Sequence, residues 1–186
     1  MIKIDKISFS YPNKKVFEDL SLNIASNERI WLYGESGCGK TTLARLILGL
    51  ETATDGNIIT NGNIKPSVVF QENRLLPFKT ILENITLIGA DKEIAKENLK
   101  ALGIAETENM YPSQLSGGMK RRVAIARALS VPFDLLILDE PFTGLDLNNI
   151  ELSAKRINEI AKDKAVILIT HSPEEAQLLN ANKKIL

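Results

Sequence analysis

Gly34-Glu35-Ser36-Gly37-Cys38-Gly39-Lys40-Thr41 satisfies the phosphate-loop pattern G-x-x-x-x-G-K-[ST] at every fixed position. An apolar strand, Arg29–Tyr33, leads into it, and a helical pattern over Thr42–Leu50 leads out. This strand, loop and helix order points to an α/β chain on a parallel sheet. The glycines let the backbone turn tightly and bring its N–H groups against phosphate oxygens, while the following helix adds the positive end of its dipole. Lys40 is placed to neutralise the β- and γ-phosphates, and the Thr41 hydroxyl to ligate magnesium. Gly34, Glu35, Ser36, Gly37, Cys38, Gly39 and Thr42 complete the expected nucleotide-binding set. Cys38 needs no redox role, because the loop uses its backbone rather than its thiol.

Further along, Leu135-Leu136-Ile137-Leu138 and Ala165–Thr170 are apolar runs of the kind buried on both faces of a parallel sheet. Asp139 ends the first run, so its carboxylate falls at the C-terminal strand edge, where open α/β sheets bind ligands. There Asp139 would hold magnesium through water, and Glu140 would be the general base that polarises the attacking water. The same edge receives Gln71, after Ser67–Phe70, and His171, after Thr170. Gln71 would sense magnesium and the water, and His171 would hydrogen-bond the γ-phosphate. The remaining elements are a strand from Ile2 towards Tyr11, a turn at Tyr11-Pro12-Asn13, an extended stretch near Val16–Ile24 and a short strand at Gly56–Thr60. Helical patterns cover Ile81–Leu102 with a break at Gly89, Gly118–Leu129, and a crossover helix at Ile150–Ala161.

The 186 residues carry 23 basic and 23 acidic side chains, with 44% hydrophobic and 25% charged positions, so one folded domain is expected and wholesale disorder is excluded. Zero formal net charge gives no footprint for nucleic acid or for a polybasic membrane surface. A single cysteine excludes an internal disulfide framework, and no Cys/His cluster offers a zinc site. No apolar run approaches the ~20 residues of a membrane span, and the alternating N-terminus reads as a strand rather than a signal peptide. These features place the chain in the cytosol.

Taken together, these segments resemble the ATP-binding subunit of an ABC transporter over nearly the whole chain. Leu115-Ser116-Gly117-Gly118-Met119 resembles that family's signature loop, Gly144-Leu145-Asp146 its D-loop, Gln71 its Q-loop and His171 its switch histidine; Tyr11 sits where the family keeps an adenine-stacking aromatic. The resemblance implies an ATPase using ATP and Mg2+, with a mainly parallel sheet, an antiparallel N-terminal β part and a small helical subdomain. Residues 1–74 and 130–186 would form the core, and 75–129 the helical part. It also implies a head-to-tail dimer, in which the signature loop meets ATP held by the second ATPase subunit, Ser116 and Gly118 contacting the γ-phosphate, with Gly117 and Asp146 also in the nucleotide-binding set. Ser116 is also a fitting N-cap for the helix after it. Membrane permease subunits would be the direct partners and an external solute-binding protein an indirect one, with no nucleic acid, at the cytoplasmic face of the membrane.

Met119, where most members carry glutamine, and the Leu-Pro-aromatic run Leu76-Pro77-Phe78 resemble the nitrate, sulfonate and taurine importer branch. Leu75, Leu76 and Phe78 either form an apolar patch for the permease or pack inside the helical subdomain. The stretch between Gln71 and Leu115 is somewhat short for that branch. The chain stops at Leu186, where relatives usually continue, so one sheet edge is expected to be thin. The alternative function is a soluble, non-transport member of the same family. A phosphate-loop kinase would not need Leu115–Met119.

Overall fold

The computed structural model describes residues 1–60 and 62–186. β1 (Ile2–Tyr11) pairs antiparallel with β2 (Lys14–Ile24) on one side and β4 (Asp55–Thr60) on the other. Ile2, Ile4, Ile7 and Phe9 of β1 are all buried although their spacing skips a beat between 4 and 7. The pairing register shifts there, and Lys6 adopts a positive φ of 47°. This bulge absorbs the extra residue and keeps one face apolar.

The second sheet is wholly parallel, in the order β5 (Pro66–Val69), β6 (Leu135–Asp139), β7 (Ala165–Ile169), β3 (Arg29–Tyr33) and β8 (Asn182–Ile185). Every residue of β6 and β7 is buried. Alternate side chains serve opposite cores, as the twofold repeat of a strand requires. Leu135 and Ile137 join the core shared with the antiparallel sheet and α1 (Lys40–Ile47), whereas Leu136 and Leu138 face the core built by the helices on the other side.

Those helices are α2 (Ile81–Thr86), α3 (Lys92–Ala101), α4 (Gly117–Leu129) and α5 (Leu147–Ile160), with α6 (Pro173–Leu178) leading into β8. Gly89 falls between α2 and α3 at φ 89°, where the sequence marks a break. α1 and α5 each begin two or three residues earlier than their apolar patterns indicate. α1 opens inside the phosphate loop itself, and Asp146 caps α5 by accepting from the Asn149 N–H. The α6–β8 unit has no counterpart in the sequence reading. Its strand, Asn182-Lys183-Lys184-Ile185, is too polar and short to announce itself, yet it hydrogen-bonds along β3 and covers the edge expected to be thin.

Asn84, 3% exposed, fastens the segment ahead of α2. Its Oδ1 accepts from the Leu76 N–H at 2.7 Å, and its Nδ2 donates to the carbonyls of Leu76, Lys79 and Thr80. Asn84→Ala takes away the partner of the part-buried Leu76 N–H and Lys79 carbonyl, while the Leu76 and Thr80 carbonyls keep the Lys79 and Asn84 N–H groups, and should cost about 2 kcal/mol of folding stability. Denaturant unfolding checks this, and an unchanged midpoint would show that solvent replaces the amide.

Candidate active site

The parallel sheet presents the C-terminal ends of β3, β5, β6 and β7 along one edge. The loops that leave these ends enclose a cleft of about 350 Å³. Tyr11, Ser36, Gly37, Gly39, Lys40, Thr41, Thr42, Gln71, Asp139, Glu140 and His171 line it. Eleven residues singled out from sequence, drawn from five separate segments, therefore share one cavity. Gly34, Glu35 and Cys38 belong to the same loop without lining the cleft, and the Cys38 Sγ packs where a Cβ on Gly34 would stand.

The phosphate loop is shaped from both ends. Gly39 caps α1 in the left-handed region, at φ 108°. A Cβ there would lie 2.5 Å from the Phe17 ring and 2.6 Å from a Val16 methyl, so β2 presses directly on the loop. Lys40, 7% exposed, donates to the carbonyls of Gly34 at 2.8 Å and Glu35 at 2.9 Å, which directs its ammonium back over the loop. Thr41 Oγ1 donates to Asp139 Oδ2 at 2.9 Å, joining the loop to the end of β6.

Burial raises the proton affinity of Asp139, against the Thr41 hydrogen bond and the charges of Arg121, Arg45 and Lys40. Glu140 is likewise raised, chiefly by burial; His171 opposes the shift, while Glu175 and Asp139 add to it. Glu140 Oε1 lies 3.7 Å from His171 Nε2, and Glu140 itself has a positive φ of 49°. The turn before His171 is pinned from the interior, where Trp31 Nε1 donates to the Thr170 carbonyl at 2.9 Å. Tyr11, in the lining, stands edge-to-face with Phe9 at 4.9 Å.

Ser116, Gly117, Gly118 and Asp146 do not line this cleft. Ser116 caps α4 by accepting from the Met119 N–H at 3.2 Å, and Gly118 sits against the Gly144 carbonyl, so the signature-like and D-loop-like segments abut. Of the three apolar residues after the Gln71 loop, Leu75 packs inward, whereas Leu76 is 45% and Phe78 is 90% exposed.

Sequence reasoning missed Lys14, Val16 and Ile169 in the lining, with Lys14 Nζ donating to the Gly37 carbonyl at 2.8 Å. It also missed Arg121, which is buried behind the site and donates to carbonyls at the ends of both β5 and β6. A signal was there. Ala124, Ile125 and Ala128 share its helical face and are buried, so a cation at the head of that stripe had to be partnered inside.

The sequence pattern described as ABC transporter matches residues 17–143. The chain belongs to the ABC transporter family. This ABC ATPase is 39% identical over 190 residues to the aliphatic sulfonates import ATP-binding protein SsuB of Zymomonas mobilis, across 96% of this chain and 78% of that one. It is 37% identical over 200 residues to the bicarbonate transport ATP-binding protein CmpD of Synechocystis, across 96% and 71% of the two chains. Among solved structures, the dimeric post-hydrolysis state of an ATP-binding cassette bound to ADP and Pi aligns with a TM-score of 0.86 at 27% identity, covering 96% of this chain and 91% of that one.

Lys40→Ala removes a buried cation whose charge-assisted bonds are worth about 1.5–3 kcal/mol each, so ATP affinity should fall by roughly 10- to 100-fold. Titration with a fluorescent ATP analogue measures it; undiminished affinity would remove Lys40 from the phosphate contacts.

Proposed function

We propose that this chain is the ATP-hydrolysing subunit of a membrane importer for a small anionic solute such as a sulfonate or nitrate, driving partner permease subunits at the cytoplasmic face of the membrane. The observation that carries the reading is the 2.9 Å bond between Thr41 and Asp139, which locks the phosphate loop to the strand end that also bears Glu140. Family membership and relatives named as import or transport ATP-binding proteins support the coupling to transport. Among the described residues no helix is long and apolar enough to cross a membrane, so the coupling is assigned to partners.

In this reading Lys40, Ser36 and the loop N–H groups hold the phosphates, Tyr11 stacks on the adenine, and Lys14 adds a second cation beside Gly37. Glu140 accepts a proton from the attacking water; a carboxylate whose proton affinity burial has raised suits that step. Gln71 and His171 orient the water and the γ-phosphate from either side of Glu140. Thr41 and Asp139 offer hard oxygen donors that fit magnesium. Among the described residues no group of three or more acidic, histidine or cysteine side chains is placed to hold a metal ion. Bound there, magnesium would neutralise developing phosphate charge.

Ser116, Gly117, Gly118 and Asp146 lie outside the cleft on the same chain, which suits a role against ATP held by a second copy in a head-to-tail dimer. The exposed Leu76 and Phe78 offer an apolar seat for a permease segment. We read 1–186 as one domain, with 75–129 as a helical subdomain on the core of 1–74 and 130–186. An external solute-binding protein is reached only through the permease.

Glu140→Gln should lower turnover by about 100-fold or more while sparing ATP binding. It should also shift sedimentation from monomer to dimer when ATP and magnesium are added; undiminished turnover in this variant would exclude Glu140 as the base. Ser116→Arg should block hydrolysis with affinity for ATP kept within about twofold, because the added bulk meets only the opposite subunit. Normal hydrolysis by this variant would rule out the composite site.

A further inference from the structure

Arg121 stands on α4 one turn beyond the Ser116–Gly118 loop and is only 2% exposed. The acceptors of its guanidinium all lie outside α4, at the end of β6 and in the loops that follow β5 and β6. Nη1 donates to the carbonyls of Phe70 at 2.5 Å and Gln71 at 3.2 Å, and to Asn73 Oδ1 at 3.3 Å. Nη2 donates to the carbonyls of Asp139 at 2.7 Å and Glu140 at 2.5 Å, and Nε to that of Pro141 at 2.9 Å. Burial lowers its pKa to about 10, against the favourable charges of Asp139, Glu140 and Glu175, so it stays cationic at neutral pH. A buried cation is an expensive way to hold a fold together, since apolar packing serves stability as well or better.

We propose that Arg121 is a positioning residue for hydrolysis, making the signature end of α4 and the loops that carry Gln71 and Glu140 move as one body. The inference rests on the reading above, in which Glu140 is the base. Glu140 occupies a left-handed backbone region that side-chain-bearing residues seldom adopt. Three hydrogen bonds hold it there: its N–H donates to the Ile169 carbonyl at 2.8 Å, and its own carbonyl accepts from the Thr143 N–H at 3.3 Å and from Arg121 at 2.5 Å. Arg121 makes the shorter bond on that carbonyl. Without it that carbonyl keeps only the 3.3 Å bond from Thr143, so the peptide is held less firmly and can carry the carboxylate with it, and a shift of ~1 Å is enough to cost about 100-fold in rate.

Arg127, six residues on, supplies an internal comparison. Its guanidinium also grips the Gln71 loop, at the carbonyls of Asn73 and Arg74, both at 2.8 Å, but none of its hydrogen bonds reaches the Glu140 segment. A general anchor for the loop predicts equal effects for the two arginines; a link to the base predicts unequal ones.

The test compares steady-state ATP hydrolysis and melting temperature of the full chain with those of Arg121→Met, Arg121→Lys and Arg127→Met. Arg121→Met should lose about 30-fold or more in kcat with KM within about threefold, because the phosphate loop is untouched, and Arg127→Met should lose less than about fivefold. Arg121→Lys keeps the charge but not the fork, and should retain the parental melting temperature with kcat reduced about fivefold or more. Should Arg121→Met fail to fold, the lysine variant decides alone. A parental kcat in either Arg121 variant, a loss confined to KM, or an equal loss in Arg127→Met overturns the inference. Parental turnover that survives Glu140→Gln would instead overturn the functional reading beneath it, whatever Arg121 does.

Discussion

Two adjacent strands with no exposed residue, Leu135–Asp139 and Ala165–Ile169, constrain everything else in the molecule. Their ladders satisfy the backbone, and their side chains must be apolar on both faces, so no polar function can sit along their length. Chemistry is displaced to where the strands end. Because the sheet is parallel, those ends lie on one side, and the order β5, β6, β7, β3 sets Gln71, Glu140, His171 and the phosphate loop next to one another. The cleft is what remains when four parallel strands release their chain at the same edge.

Strand ends also leave carbonyls that need donors, and α4 supplies them. The helix is buried almost all round, from Arg121 through Leu129, which would ordinarily exclude charge. Its arginines are admitted because each meets main-chain oxygen: Arg121 at the ends of β5 and β6, Arg127 in the loop after β5, and Arg122 at the carbonyls of Leu102 and Gly103, just past α3. A cation at a helix C-terminus is favourable in its own right. The polar interior is thus a lattice of guanidinium to carbonyl bonds laid between the site and the helices.

Much of this was legible in the sequence because the relevant signals are local. A phosphate loop is a contiguous pattern, and Asp139 is marked by the apolar run it terminates. Gln71 and His171 are found by the same rule, since a polar residue closing a buried strand has only one place to go. Arg121 escaped because its partners, Asn73 Oδ1 apart, are backbone atoms about twenty and fifty residues away, which no pattern of side chains records. Lys14 escaped for a related reason, as it reaches the loop through a carbonyl of Gly37. β8 carries two lysines in four residues and owes its existence to pairing with β3 rather than to its own propensity.

The contact between Gly39 and Phe17 has a consequence for how the fold can be taken apart. Phe17 belongs to the antiparallel sheet, yet its ring occupies the space that a side chain at position 39 would need. Those two positions are therefore sterically complementary: the loop keeps its path because a strand from the other sheet stands against its outer side. A fragment pared back to the parallel sheet and its helices would contain every residue of the phosphate-loop pattern and lack the wall that moulds it. The antiparallel sheet is better regarded as half of the nucleotide pocket's mould than as an appendage, and a chimera that exchanges it would have to carry Val16 and Phe17 along with Gly39.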